Sequence, residues 1–187
     1  VKVYDMALGD YEFLLHKLRI VTYGPEYKLA VGCPHCGNTF EAIANLEQLQ
    51  ILEFDEEKFR ELQTFTLPVS GDTIKIKFQT PRMLDELDAK TNEMKRKFRD
   101  AELEFRLLIL LTSVIDEVNG NKLDPLKAEA YVNKLAARDM TKIVNNLDAL
   151  NACIGLDTSL FVDCQNCQGE VKTFFRFGPE FFRPTTI

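Results

Sequence analysis

The chain has 187 residues, 45% of them apolar and 28% charged, and a formal net charge of -6 from 23 basic and 29 acidic side chains. That supply of apolar side chains builds one good core or two small ones and excludes disorder as the main state. The acidic balance lacks the broad positive field of a non-specific nucleic-acid binder, and the longest apolar run, residues 107–111, falls far short of the roughly 20 residues a membrane span needs.

The opening residues are acidic and lack an apolar core, so no cleavable signal peptide is expected. Residues 9–24 read as a short amphipathic helix. Asp10 is the cap, Phe13, Leu14, Leu18 and Val21 give the apolar spacing, and Gly24-Pro25 is the stop. "YKLAV" reads as a strand into the first CxxC, and "TFEAIANL" as the strand returning from it. Thr64 to Val69 and Thr73 to Gln79 flank Ser70-Gly71-Asp72. Ile74, Ile76 and Phe78 alternate there with Lys75 and Lys77, the pattern of a half-buried hairpin strand.

Thr80-Pro81 opens a helical region by cap and first-turn proline, and the spacing carries it unbroken to Asn119-Gly120. Its first half is charged. Lys95-Arg96-Lys97 with Arg99 lies among Glu93, Asp100, Glu102 and Glu104 and reads as a solvated helix face. Its second half, "FRLLILLTSVIDEV", is apolar on most sides and should be the most buried element. Asp124-Pro125 and Asp139 each start a shorter helix, and Gly155 stops the second. "SLFVD" and "EVKTFFRF" are strand-like and flank a second CxxC.

The expected fold is therefore α+β. A β-hairpin, zinc-ribbon-like module is formed by both chain ends, residues 1–80 and 155–187, and a mostly helical insertion occupies 81–154.

Five cysteines is an odd number, and four of them form the pairs Cys33/Cys36 and Cys164/Cys167. That usage fits a reducing compartment and a metal better than a disulfide framework. Two tight turns between strands, each offering two thiolates, give tetrahedral coordination with no open position, hence one structural zinc. Each turn needs a left-handed residue just past the second cysteine, and Gly37 and Gly169 are placed for it. A compact ribbon separates its pairs by about 15–20 residues; here residues 37–163 intervene, so the metal would tie distant parts of the chain together.

The competing reading is redox. Cys-Pro-His-Cys also serves thiol oxidants, where it opens a helix that stabilises the thiolate. The turn-forming Gly37-Asn38, the second CxxC and the lack of βαβ alternation argue against it. His35 reads as a solvated turn residue, His16 as structural and Cys153 as a small buried hydrophobe. No nucleophile–base pair or phosphate-cradling loop is visible, so no catalytic residue and no small-molecule cofactor is assigned.

The end of the chain, "TFFRFGPEFFRPTTI", holds five phenylalanines between Phe174 and Phe182. Phe181, Phe182 and Arg183, beyond Gly178-Pro179, read either as a partner surface or as packing within the chain.

Taken with "LRIVTYGPEYKLAVGCPHCG", "LPVSGDTIKIKFQTPRMLDEL" and "ARDMTKIVNNLDALNACIGLDTSLFVDCQNCQGEVKTFFRFGPEFFRP", these features resemble the baseplate hub and hub-assembly proteins of contractile-tailed, T-even-type bacteriophages. The paired CxxC with the Phe-Phe-Arg-Pro ending is the most specific part. The resemblance implies zinc ligation by Cys33, Cys36, Cys164 and Cys167, and a contact surface that includes Phe181, Phe182 and Arg183. It implies a protein–protein scaffold without catalysis, assembled in the host cytoplasm into the virion tail baseplate. Its partners would be other baseplate or tail proteins, with no small-molecule substrate, nucleic acid or membrane span. The alternatives are a zinc-ribbon adaptor of a nucleic-acid-processing complex and a CPHC thiol–disulfide oxidoreductase.

Overall fold

Glycines, prolines and capping side chains cut the chain into short elements. A computed structural model describes residues 2–97, 102–175, 177 and 179–182. In chain order these carry α1 (Leu8–Tyr23), β1 (Glu26–Gly32), β2 (Thr39–Asn45), α2 (Glu56–Gln63), β3 (Thr64–Thr66), β4 (Thr73–Ile76), α3 (Pro81–Lys97), α4 (Glu102–Val114), β5 (Ile115–Val118), β6 (Asn121–Lys122), α5 (Pro125–Val132), α6 (Ala137–Asn151), β7 (Ser159–Asp163) and β8 (Glu170–Phe174). Single turns of 3-10 helix lie at Val3–Asp5, Leu46–Gln48 and Pro179–Phe182. The class is α+β, with short antiparallel sheets. Among the described residues, no helix is long and apolar enough to cross a membrane.

The chain forms two compact units, Val1–Tyr11 with Glu53–Ile154, and Glu12–Leu52 with Gly155–Ile187. In the first, a four-stranded antiparallel sheet of order β3-β4-β5-β6 shares one core with the helices. Ile74 and Ile76 of β4 meet Leu111 and Val114 of α4 and Ile143, Leu147 and Leu150 of α6. The last three recur at helical spacing, which puts them on one face. The β3–β4 hairpin, expected in the module of the two chain ends, instead packs Leu67, Ile74 and Ile76 into this helical core.

The long helix expected from Thr80 does not reach Asn119-Gly120. Its start is as read, since Thr80 Oγ1 accepts from the Met83 amide at 3.2 Å. But α4 stops at Val114, and Ile115–Val118 pairs with β4, Ile74 opposite Val118 and Ile76 opposite Ile115. Asn119 and Gly120 have φ of 52° and 76°, the mirror-image turn that joins hairpin strands. The β-branched Ile115 and Val118 favour the strand that this turn closes. Phe98, Arg99, Asp100 and Ala101, also placed in that helix, lie outside the described residues.

Asp124 caps α5 as expected, accepting from the Lys127 amide at 2.9 Å. Asp139 does not cap α6, which begins at Ala137. Its carboxylate, 1% exposed, accepts instead from the Val69 and Ser70 amides at 2.8 and 3.0 Å. It thereby pins the β3–β4 turn to α6. Bonds to an ionised acceptor contribute about 1.5–3 kcal/mol each, and Val69 and Ser70 are exposed enough for water to replace part of that. Asp139→Ala should therefore cost about 3 kcal/mol, read as a lower urea midpoint at unchanged slope. Asp139→Asn, which keeps one acceptor oxygen, should recover part of it. The helix α2 was not anticipated, although Asp55 caps it by accepting from the Lys58 amide at 3.0 Å.

In the second unit, two antiparallel hairpins carry the CxxC pairs as expected. β1 pairs with β2 from Glu26↔Asn45 to Gly32↔Thr39, and β7 with β8 from Ser159↔Phe174 to Asp163↔Glu170. Val31, Phe40, Ala42 and Val171 bury their side chains between the hairpins together with Cys33 and Cys164. A second cluster holds Leu46, Leu49, Phe175 and Phe181.

Helix α1 packs on this unit with an unexpected face. His16 and Arg19 are its buried residues, whereas Leu14, Leu18 and Val21 point outward. Burial holds the His16 imidazole below its ordinary pKa, outweighing its contact with the Leu46 carbonyl. Neutral, it donates from Nε2 to that oxygen at 2.7 Å. Arg19 donates to the carbonyls of Phe181 at 2.9 Å, Gly24 at 2.9 Å and Glu26 at 3.4 Å. Gly24, at φ 83°, ends the helix as read.

Candidate metal centre

Each CxxC occupies the turn of its hairpin, and the two turns are built alike. The Cys33 amide donates to the Asn38 carbonyl at 2.8 Å and the Gly37 amide to the Cys33 carbonyl at 2.9 Å. In the second turn Cys164 donates to Gly169 at 3.0 Å and Gln168 to Cys164 at 2.8 Å. Neither pair opens a helix, so the helix N-terminus that a thiol oxidant uses to stabilise its thiolate is missing at both.

The turns meet and bring the four thiols together, all within 4.8 Å of one another. Cys33 Sγ lies 3.7 Å from Cys167 Sγ, and Cys36 Sγ lies 3.7 Å from Cys164 Sγ. The first cysteine of each pair is buried and the second exposed. Four such sulfurs can hold a metal ion. Thiolates bound tetrahedrally at about 2.3 Å from zinc stand about 3.8 Å apart, which is the spacing of those two cross-turn pairs. Cys153, on the turn after α6, is outside the cluster and bonds the Ala149 carbonyl at 3.2 Å.

Local amides prepare some of these sulfurs to be thiolates. The Cys167 amide, aided by that of Asn166, brings Cys164 down to about 6. The Asn38 amide, then the Asn166 side chain, lowers Cys36. At Cys167 the Gly169 amide pulls downward, but desolvation and the three neighbouring thiols prevail and push it up to about 12. Like charges this close disfavour a full set of thiolates, and a divalent cation removes that penalty.

The residues around the thiols differ from expectation in two places. Gly37 takes the left-handed position, φ 73°, but its counterpart is Gln168, φ 58°, not Gly169. Gly169 is small for another reason: a Cβ there would stand 2.9 Å from the His35 ring. That ring is exposed but not free, because its Nε2 donates to the Glu170 carbonyl at 3.1 Å across the two turns. Asn166 and Gln165 reach back the other way, to Cys36 Sγ at 3.6 Å and the Glu41 carbonyl at 3.3 Å. Residue spacing carries no sign of these cross-turn contacts.

The aromatic residues read as a possible contact surface divide. Phe181 is 1% exposed and stands among Phe175, Phe177, Phe182 and Tyr27 at centroid distances of 5.0, 5.2, 5.0 and 5.7 Å. Its ring belongs to the core of the unit and is not available to a partner. Phe182 is half-buried, and Arg183 lies outside the described residues.

Compared with known proteins, the chain matches a family described as T4 bacteriophage base plate protein over residues 1–183. No curated protein and no solved structure matches.

Proposed function

Since this chain belongs to the T4 bacteriophage base plate protein family, with a structural role in the tail baseplate of the virion and other tail proteins as its partners, we propose that it works in the hub region, as a scaffold held together by one structural zinc. The match over nearly the whole chain is the observation that carries this reading. The hub placement rests on the paired CxxC followed by Phe-Phe-Arg-Pro, and assembly would take place in the host cytoplasm.

Cys33, Cys36, Cys164 and Cys167 are the proposed ligands, on the match between their sulfur spacing and a tetrahedral thiolate set. Zinc there would supply a fixed crosslink and no open coordination position. The chain's own residues shape the place for it: two β-turns present the sulfurs, backbone amides stabilise the thiolates, and His35 locks one turn against the other. The two hairpins then form a zinc-ribbon-like module. Residues 1–80 and 155–187 were the expected extent of that module; the contact division 12–52 and 155–187 supports a smaller one, with residues 81–154 in the helical part.

The scaffold role also accounts for the histidines. Both donate from Nε2 to backbone carbonyls, His16 to Leu46 and His35 to Glu170, and the buried Nδ1 of His16 has no hydroxyl or thiol of the described residues within hydrogen-bond distance. We therefore assign no enzymatic activity.

Co-expression with the other baseplate proteins of the same phage tests the placement. The chain should co-elute with the hub proteins on size exclusion and cross-link to them. Co-elution with proteins of the baseplate periphery alone would contradict the hub assignment.

A further inference from the structure

Each two-stranded hairpin of the cysteine unit has two strand edges with no strand beside them among the described residues, and those of β2 and β7 flank one groove. Hydrogen-bond alternation tells which groups lie on those edges. The Cys33–Asn38 and Leu46–Pro25 bonds turn the even residues of β2 toward β1. The N–H and C=O groups of Thr39, Glu41, Ile43 and Asn45 therefore face outward. The Cys164–Gly169 and Phe175–Thr158 bonds do the same in β7, leaving Ser159, Phe161 and Asp163 on its outer edge.

The two edges are not equally open. Gln165 donates to the Glu41 carbonyl at 3.3 Å and so blocks β2 in its middle. Among the described residues, the outward groups of β7 have one partner, the Asp157 carboxylate, which accepts from the Ser159 amide at 2.9 Å. Phe161 is left as an open template in the centre of the strand.

A groove of about 480 Å³ runs along this edge, with Ile43, Asp157, Leu160 and Phe161 in its walls. Phe161 and Ile43 are 60% and 61% exposed. Asp157 is the only charged side chain among the described residues of the lining, and Glu47 and Asp163 adjoin it in the chain. The basic groups nearby are engaged: Lys172 lies over the Phe161 and Phe174 rings at 5.6 and 5.4 Å, and Lys28 pairs with Glu41 at 3.2 Å. The groove thus offers unpaired backbone, apolar walls and negative charge together.

We propose that this groove binds an extended segment of another baseplate protein, added as a third strand beside β7, with an apolar side chain opposite Phe161 and a basic one two positions along on the same face, opposite Asp163. The backbone of Phe161 hydrogen-bonds the segment. Phe161 and Ile43 receive its apolar side chains, and Asp157 and Asp163 its basic ones. The inference names the partner chemistry of the scaffold role proposed above and rests on it.

The test uses the full chain and an acetylated, amidated heptapeptide with lysine at its first and last positions, valine at its third and fifth and threonine between, followed by amide hydrogen exchange in NMR. This peptide should slow exchange at Phe161 by about tenfold or more. A peptide of the same composition with lysines and valines exchanged should not, nor should one with glutamate in place of lysine. Asp163→Lys, an exposed change, should weaken binding of the first peptide about tenfold, an attraction turned into a repulsion. No slowing at Phe161 at millimolar peptide overturns the proposal, as does equal slowing by the exchanged peptide. Because the probe is synthetic, its failure removes the groove assignment alone and leaves the baseplate role to the co-elution test.

Discussion

Serine at Cys33 and serine at Cys164 are expected to unfold the same unit, although the two cysteines sit in different hairpins. The paired thiols on opposite turns, Cys33 with Cys167 and Cys36 with Cys164, make the two hairpins one structure. Apart from the thiols, the hairpins are joined there by the bonds of His35, Gln165 and Asn166 and by a small apolar cluster whose fully buried members among the described residues are Val31, Phe40, Ala42 and Val171 besides Cys33 and Cys164. A structural zinc contributes on the order of 10 kcal/mol of apparent folding free energy, comparable with the whole stability of a domain, about 5–15 kcal/mol. Hydrogen exchange read by mass spectrometry should show β1, β2, β7 and β8 losing protection together in either variant. The helical unit has its own core of Ile74, Ile76, Leu111, Ile143 and Leu147 and should keep its protection. If each variant loosens only its own hairpin, the pairs do not share an ion.

Phe181→Ala is expected to lose about 3–5 kcal/mol, the cost of truncating a fully buried aromatic ring. Its ring is packed edge-to-face against Phe175 and Phe177, and the cavity left behind would open the cluster that includes Leu46 and Leu49. The Arg19 bond to the Phe181 carbonyl is a backbone contact and survives the change, so the loss reports the ring. Phe182→Ala, at a half-buried position, should cost clearly less. Urea unfolding of both variants decides it. A loss below about 1 kcal/mol for Phe181→Ala, together with weakened binding to baseplate proteins, would return Phe181 to a contact surface.

The parts of this structure that were readable in the sequence are those fixed by short-range chemistry. Period-two alternation at Ile74 and Ile76 gave a strand, Asp124-Pro125 gave a helix start, and the two CxxC turns gave the hairpins. What escaped was decided by distant partners. Ile115–Val118 looked helical because it continues an apolar run, yet β4 waits beside it and the Asn119-Gly120 turn closes a hairpin. Asp139 has the residue type of a cap, but two amides 69 and 70 positions earlier claim its carboxylate. In α1, the regular spacing of Leu14, Leu18 and Val21 outlined a plausible core face, while the buried positions went to His16 and Arg19 because carbonyls of Leu46 and Phe181 were there to receive them. At the cysteine site the grouping of Cys33, Cys36, Cys164 and Cys167 was legible from the two CxxC pairs. The roles of Gly169 and His35 were not, since each depends on the opposite turn, 134 residues away for Cys33 and Cys167.

Zinc content and sulfur coordination of the purified chain test the central claim most directly. Elemental analysis with X-ray absorption at the zinc edge should find one zinc per chain, surrounded by four sulfurs at about 2.3 Å. A chain purified folded without metal, or a zinc shell with only two sulfurs, would contradict the shared four-cysteine site.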